Sequence, residues 1–258
     1  MSSLPLGIRF QKIMAELELQ ERVVQLVATS LDAPSFVENG RSPPGFRFAD
    51  PGWKHFCLLK SVRAVSGLNA CARLTSGGFN QEMVVLVRTI TECTTQIEFV
   101  LAGLESDELA NAQRDFVRAY FADAERDGSG RSIRLPFRQG EVHKVVGRHT
   151  DELVRRVDLK GEFSDIESEK LHSKAYLTNS NYVHSRYPEV MDMFGGREPR
   201  FHLRGMRGTP KDFESVEILE AFAVTVSHAL RYLVLVLGLI DAVRQDVELA
   251  NWYPSEAA

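Results

Sequence analysis

The chain has 258 residues, 44% of them hydrophobic and 26% charged, so it is long enough to bury a core and too apolar for an intrinsically disordered chain. Its 18 glycines and 10 prolines are too few for a collagen-like or low-complexity protein. A formal net charge of −4 gives no reason to expect nucleic acid or an anionic lipid surface.

Met1 to Phe10 lacks a basic segment followed by an apolar one, so no secretory leader is expected. Phe10, Ile13, Leu17, Val24, Val27 and Leu31 then recur at helical spacing, with Gln20 filling one polar slot in the stripe. Arg41-Ser-Pro-Pro-Gly45 and Asp50-Pro-Gly52 break this helix, because proline removes a donor and glycine frees the backbone. A second helix is predicted from Trp53 to Thr75, stopped by Gly77-Gly78. A third is predicted from Asn80 to Leu104, with Met83, Val87, Ile90, Ile97, Leu101 and Leu104 on one stripe and Thr94 as its exception. The three cysteines, Cys57, Cys71 and Cys93, are widely spaced in apolar surroundings and read as core fillers, not as a disulfide or zinc framework. Ser106 can cap a fourth helix carrying Leu109, Phe116, Tyr120 and Phe121 and ending near Gly128-Ser-Gly130.

Residues 138–157 and 165–183 read as further helices, and Gly195 to Pro210 as an irregular loop rich in Gly, Pro and Arg, with a short hairpin at Arg200 to Arg204. The last helix is predicted as one piece from Asp212 to Leu249, on the repeat Val216, Leu219, Ala223, Val226, Leu230, Leu233, Leu237 and Ile240. Glu217, Glu220, His228 and Arg231 interrupt its apolar run. The longest stretch free of charge and histidine, Tyr232 to Ile240, is about half of the ~20 residues that span a bilayer. A buried helix is expected there, hence a cytoplasmic protein with no membrane span. Long amphipathic helices without strand-rich segments predict an all-α antiparallel bundle, one domain over 1–258 with 1–52 as an N-terminal helix and loop extension.

Arg88 and Glu92 stand four apart on the third helix and can touch. The pair reads either as a structural link between helices or as a charged pocket in which Arg88 binds an anion. Thr178-Asn-Ser-Asn-Tyr-Val-His184 holds a candidate acid or base in His184, with Asn181 and its neighbours lining a site or capping a helix. Neither a zinc-hydrolase histidine pair, a serine-hydrolase elbow, a P-loop nor a dinucleotide fingerprint is present, so no metal or cofactor is expected. Charge is segregated: Arg131 to Arg156 and Arg197 to Lys211 each carry a net +4, which leaves −12 for the rest of the chain. Should the two stretches share a face, they would make a patch of +8 suited to nucleic-acid phosphates, with Phe201 and His202 able to stack on bases.

Phe79 to Glu92, with Leu86-Val-Arg88-Thr-Ile-Thr-Glu92, resembles a helix of the bacterial domain of unknown function 5677 family, in which Leu-x-Arg-Ser/Thr-x-x-Glu recurs. Ser180-Asn-Tyr-Val-His184 resembles that family's later Ser-x-Tyr-Val-His. The resemblance covers about residues 55 to 190 and implies that Arg88, Glu92, Tyr182 and His184 meet inside one bundle. That family is similar in turn to the HEPN helical bundles, often dimeric RNases of bacterial toxin–antitoxin and phage-defence systems. The resemblance thus implies an RNA- or nucleotide-binding protein, a homodimer, and RNA or a protein partner such as an antitoxin. The HEPN arginine expected before His184 is missing, since Leu177, Thr178 and Asn179 fill its positions. Arg138 to His143 and Arg197 to His202 match the spacing no more often than chance allows. In a metal-independent RNase His184 would be the base, Arg88 or Arg186 the cation and Glu92 the group orienting Arg88. Tyr182 or Asn181 would position substrate, and Arg200, Arg204 and Arg207 would meet phosphates. The competing reading is a non-catalytic interaction module in which Arg88, Glu92 and His184 form a buried structural network.

Overall fold

The computed structural model describes residues 5–38, 44–105, 108–122, 181–194 and 201–252. The helices expected at 138–157 and 165–180, the first basic stretch, and Arg197 and Arg200 lie outside the described residues.

The chain is an all-α bundle. Helix α1 (Leu6–Thr29) buries Ile13, Leu17, Gln20, Val24 and Val27, so the stripe read from spacing is the face that meets the core. Gln20 is tolerated there because its amide nitrogen donates to the Ala223 carbonyl at 2.8 Å and to Ser227 Oγ at 2.7 Å. A small hairpin follows, β1 (Ser35–Val37) against β2 (Gly45–Arg47) in antiparallel register, Phe36 opposite Phe46.

Helix α2 (Trp53–Gly77) buries a broad face and touches α1 and the helices over Asn80–Ala102, Asn111–Ala122 and Lys211–Val236, so it forms the centre of the bundle. It ends where Gly78 takes a φ of 76° and Phe79 N–H reaches back to the Leu74 carbonyl at 2.9 Å. Helix α3 (Asn80–Ala102) returns antiparallel: Thr75 meets Met83, and the missing Cβ of Gly67 lets Ile90 approach closely. Thr94, the polar exception in the α3 stripe, is buried with its hydroxyl on the Ile90 and Thr91 carbonyls. All three cysteines are free and buried.

Where Ser106 was expected to start a helix, the chain makes a two-residue ladder, β3 (Leu104–Glu105) with β4 (Glu108–Leu109). Helix α4 (Asn111–Ala122) begins only after Ala110, whose N–H is held by the Gly103 carbonyl at 2.9 Å. The ladder takes up the residues that a Ser106 cap would have committed to the helix. Phe116 of α4 packs edge-on against Phe56 of α2 and Phe99 of α3, closing one side of the core.

Helix α5 (Tyr187–Met191) is short and half-exposed. Helix α6 (Lys211–Val236) runs parallel to α1 and α3. Arg9 pairs with Glu220 and Glu16 with Ser227, while Asn80 lies near Ser215 and Glu98 near Tyr232. The single long C-terminal helix expected to Leu249 is broken at Gly238, whose φ of 68° and the Leu239 N–H to Val234 carbonyl bond terminate α6. Helix α7 (Ile240–Gln245) then turns Val243, Leu249 and Trp252 onto the core. By length and composition α6 is apolar enough to cross a membrane, with a mean hydropathy of 1.5 over its best window; in this fold it packs on α1, α2 and α3.

Candidate nucleic-acid interface

The segments 181–194 and 201–210 form one layer over the corner between α2 and α3. They pair with each other through a bridge between Phe194 and Phe201 and the His202 N–H to Met193 carbonyl bond at 2.9 Å. Strand pairing in this loop therefore joins residues on either side of 195–200, not the expected hairpin at Arg200 to Arg204. A close backbone approach seats the layer. Met206 N–H donates to the Gly78 carbonyl at 2.7 Å, and a Cβ on Gly205 (φ 93°) would stand 2.2 Å from the Gly77 oxygen. Gln81 Nε2 donates to the Glu189 carbonyl at 2.6 Å and ties the first segment to α3.

Tyr182 sits in this seat. Its hydroxyl donates to Asp192 Oδ2 at 3.3 Å, and its ring borders a cavity of about 30 Å³ with Asn80, Val84, Lys211 and Ser215. Burial and the Asp192 charge both push its hydroxyl pKa up. Lys211 Nζ joins Glu214 at 2.8 Å and Asp192 at 3.6 Å, and the Glu214 bond raises its pKa. Asp212 accepts the Gly208 N–H at 2.6 Å. Three carboxylates of the region are thus engaged by its own framework.

The arginines are not. Arg186, Arg204 and Arg207 are exposed, and their side chains make no hydrogen bond or ion pair among the described residues. His184 is exposed as well, in the turn beside Arg186, and Asn181 is half-buried. Between His184 and Arg186 stands Ser185, the one non-glycine among the described residues with positive φ, at 47°. The same segments carry exposed rings: Tyr187 is 78% accessible, and Phe194 and Phe201 meet edge-on at 5.5 Å.

Arg88 and Glu92 do touch, Nη2 to Oε1 at 3.1 Å, with side chains 26% and 30% exposed. They continue the α3 face that carries Gln81 and Val84, so Tyr182 lies about one turn from Arg88. No hydrogen bond or ion pair among the described residues joins either to His184, so the expected buried Arg-Glu-His network is not formed: His184 faces solvent. Sequence reasoning missed the partner of this pair on α2. Lys60 lies over the rings of Phe56 and Tyr120, at 5.3 and 4.6 Å, and feels the Glu92 charge. Burial lowers the Lys60 pKa despite that charge. Its position four after Phe56, on a helix that packs on most sides, is the pattern that could have found it.

Among the described residues no group of His, Cys, Asp or Glu is placed to hold a metal ion. No family model, no curated protein and no solved structure matches the chain.

Proposed function

We propose that the protein binds single-stranded RNA, in the cytoplasm, across the layer built by residues 181–194 and 201–211. The observation that carries this reading is three exposed arginines, Arg186, Arg204 and Arg207, that make no ion pair among the described residues, in segments that also carry three exposed aromatic rings. Phosphates replace counterions on unpaired guanidiniums, and unstacked bases gain about 1–3 kcal/mol each on aromatic faces. Three acids of the region, Asp192, Glu214 and Asp212, are held by Tyr182, Lys211 and Gly208, and a fourth, Glu189, is half-buried beside Tyr182. Arg88, tied to Glu92, acts in this reading through the helix under the layer and not on RNA.

Fluorescence anisotropy with a labelled single-stranded RNA tests it. Arg204→Glu with Arg207→Glu weakens binding at least about tenfold and flattens the salt dependence by about 0.7 per lost phosphate contact. Affinity and slope equal to those of the unmodified protein would overturn the assignment.

A second reading, cleavage, is favoured by Ser185. A left-handed serine is a local strain that places His184 and Arg186 on either side of one turn. Metal-independent RNA cleavage needs a base for the 2′-hydroxyl and a cation for the phosphate, and those two residues supply both. This is the RNase of a toxin or phage-defence system that the motif resemblance implies, with Arg186 in place of the missing HEPN arginine. Cleavage of tRNA or mRNA in the presence of a chelator, abolished by His184→Ala and by Arg186→Ala, is the expected result. Equal activity in all three proteins, or none in any, leaves a binding protein without a catalytic step.

A further inference from the structure

At the other end of α2, a groove of about 490 Å³ opens between Pro51, Gly52 and Trp53 on one side and Leu109 of β4 with the α4 face bearing Arg114, Val117, Arg118 and Phe121 on the other. The 25 residues of α2, about 37 Å of helix, separate it from the RNA layer at Gly78. Its size is that of a site for an organic ligand.

The lining has a definite chemistry. Among the described residues it contains two arginines and no acid. Arg114 spends one N–H on the Leu109 carbonyl at 2.8 Å, which fixes its guanidinium at the rim. Arg118, four residues on and hence on the same face of α4, makes no hydrogen bond or ion pair among the described residues. Lys54 stands 5.5 Å from the Trp53 ring centroid and adds a third cation. The walls are a large indole and a phenyl ring, Trp53 and Phe121. The first turn of α2 opens at the same place, its N-cap Gly52 offering no side chain to its amides. Two guanidiniums one turn apart suit a phosphate better than a carboxylate, since a phosphate offers oxygens to both. Aromatic walls suit a flat ring attached to it.

We infer that this groove is a second binding site, for a nucleoside monophosphate, with its phosphate on Arg114 and Arg118 and its base between Trp53 and Phe121. The site is independent of the RNA layer: it shares no residue with it.

The full-length protein supplies its own reporter. Trp53 lines the groove, whereas the other tryptophan, Trp252, is buried with its indole N–H on Glu16. AMP is expected to quench tryptophan fluorescence saturably, adenosine and inorganic phosphate to bind at least about tenfold more weakly, and Trp53→Phe to abolish the quench. Arg118 is exposed and makes no hydrogen bond or ion pair among the described residues, so Arg118→Ala folds normally; it weakens AMP about tenfold and leaves adenosine unchanged. No saturable signal up to about 10 mM AMP, or equal AMP affinity in Arg118→Ala, overturns the inference. So does a loss of AMP binding in Arg204→Glu with Arg207→Glu, since AMP would then sit in the RNA layer, whose own test with RNA is separate.

Discussion

Replacing Gly205 by alanine should unseat the layer proposed to bind RNA, and the structure sets the size of the effect. The added Cβ would lie 2.2 Å from the Gly77 carbonyl oxygen and 3.3 Å from backbone carbons of Gly77 and Gly78, all of them main chain. No rotamer can relieve that, so the loop must lift. Lifting exposes Met206, which is 4% accessible, at a cost of about 1.5–3 kcal/mol, and breaks its N–H bond to Gly78, worth about 0.5–1.5 kcal/mol. The total is roughly 2–4.5 kcal/mol. Gly208 is the internal control. Its φ is also positive, 77°, but nothing lies within 4 Å of its Cβ position, so Gly208→Ala should cost only the left-handed penalty of about 1–2 kcal/mol. Urea unfolding of the two variants measures the difference, and RNA anisotropy asks whether the lifted loop still binds. Gly205→Ala should be the less stable by about 1–2 kcal/mol and should lose RNA affinity. Equal midpoints for the two variants would refute the close approach as the seat of the layer.

Burial against α6 raises the Glu98 carboxyl pKa from its ordinary 4.5 to about 7. The folded protein therefore holds this proton more tightly than the unfolded chain, and stability falls as pH rises from about 4.5 to 7. Glu98→Gln should be near neutral at pH 4 and stabilising by up to roughly 3 kcal/mol at pH 8; a gain independent of pH in thermal or urea unfolding would contradict this. For Arg88 and Glu92, both more than a quarter exposed, a double-mutant cycle should return a coupling of about 0.3–1 kcal/mol, well short of a buried pair. Lys60 remains beside Glu92 when Arg88 is removed, which further softens the single substitution. A coupling above about 2 kcal/mol would restore the buried network as the reading of this cluster.

The helical stripes were legible because burial enforces a period, and Gln20 shows how far that goes. A polar residue in an apolar stripe foretold a buried amide, though not its partners 203 and 207 residues away. The break at Gly238 was hidden by the same logic. Leu237 and Ile240 both pack against the core across the break, so the apolar spacing continues while the backbone does not. The ladder at 104–109 is two residues per strand, too short for any alternation to register. Arg88 and Glu92 were found since a four-residue spacing on a helix is itself a contact. Tyr182 against Asn80, and Gly205 against Gly77, are contacts across some hundred residues that no local spacing records.

Net charge says little about a binding surface for a related reason. A sum over the chain counts every carboxylate equally, whereas a ligand meets only the charges that the fold leaves uncommitted. In the layer over α2 and α3, Asp192 is taken by Tyr182 and Lys211, Glu214 by Lys211, and Asp212 by the Gly208 amide. Among the described residues, Glu189 of this layer is half-buried, and the exposed arginines that make no ion pair are Arg186, Arg204 and Arg207. Arg88 illustrates the opposite case: it is the arginine that the family motif singles out, and its charge is already answered by Glu92. A phosphate arriving at Arg88 would have to displace a carboxylate bonded at 3.1 Å, whereas at Arg204 or Arg207 it displaces only water and mobile ions. That difference, and not the total of −4, is what the proposed RNA site rests on.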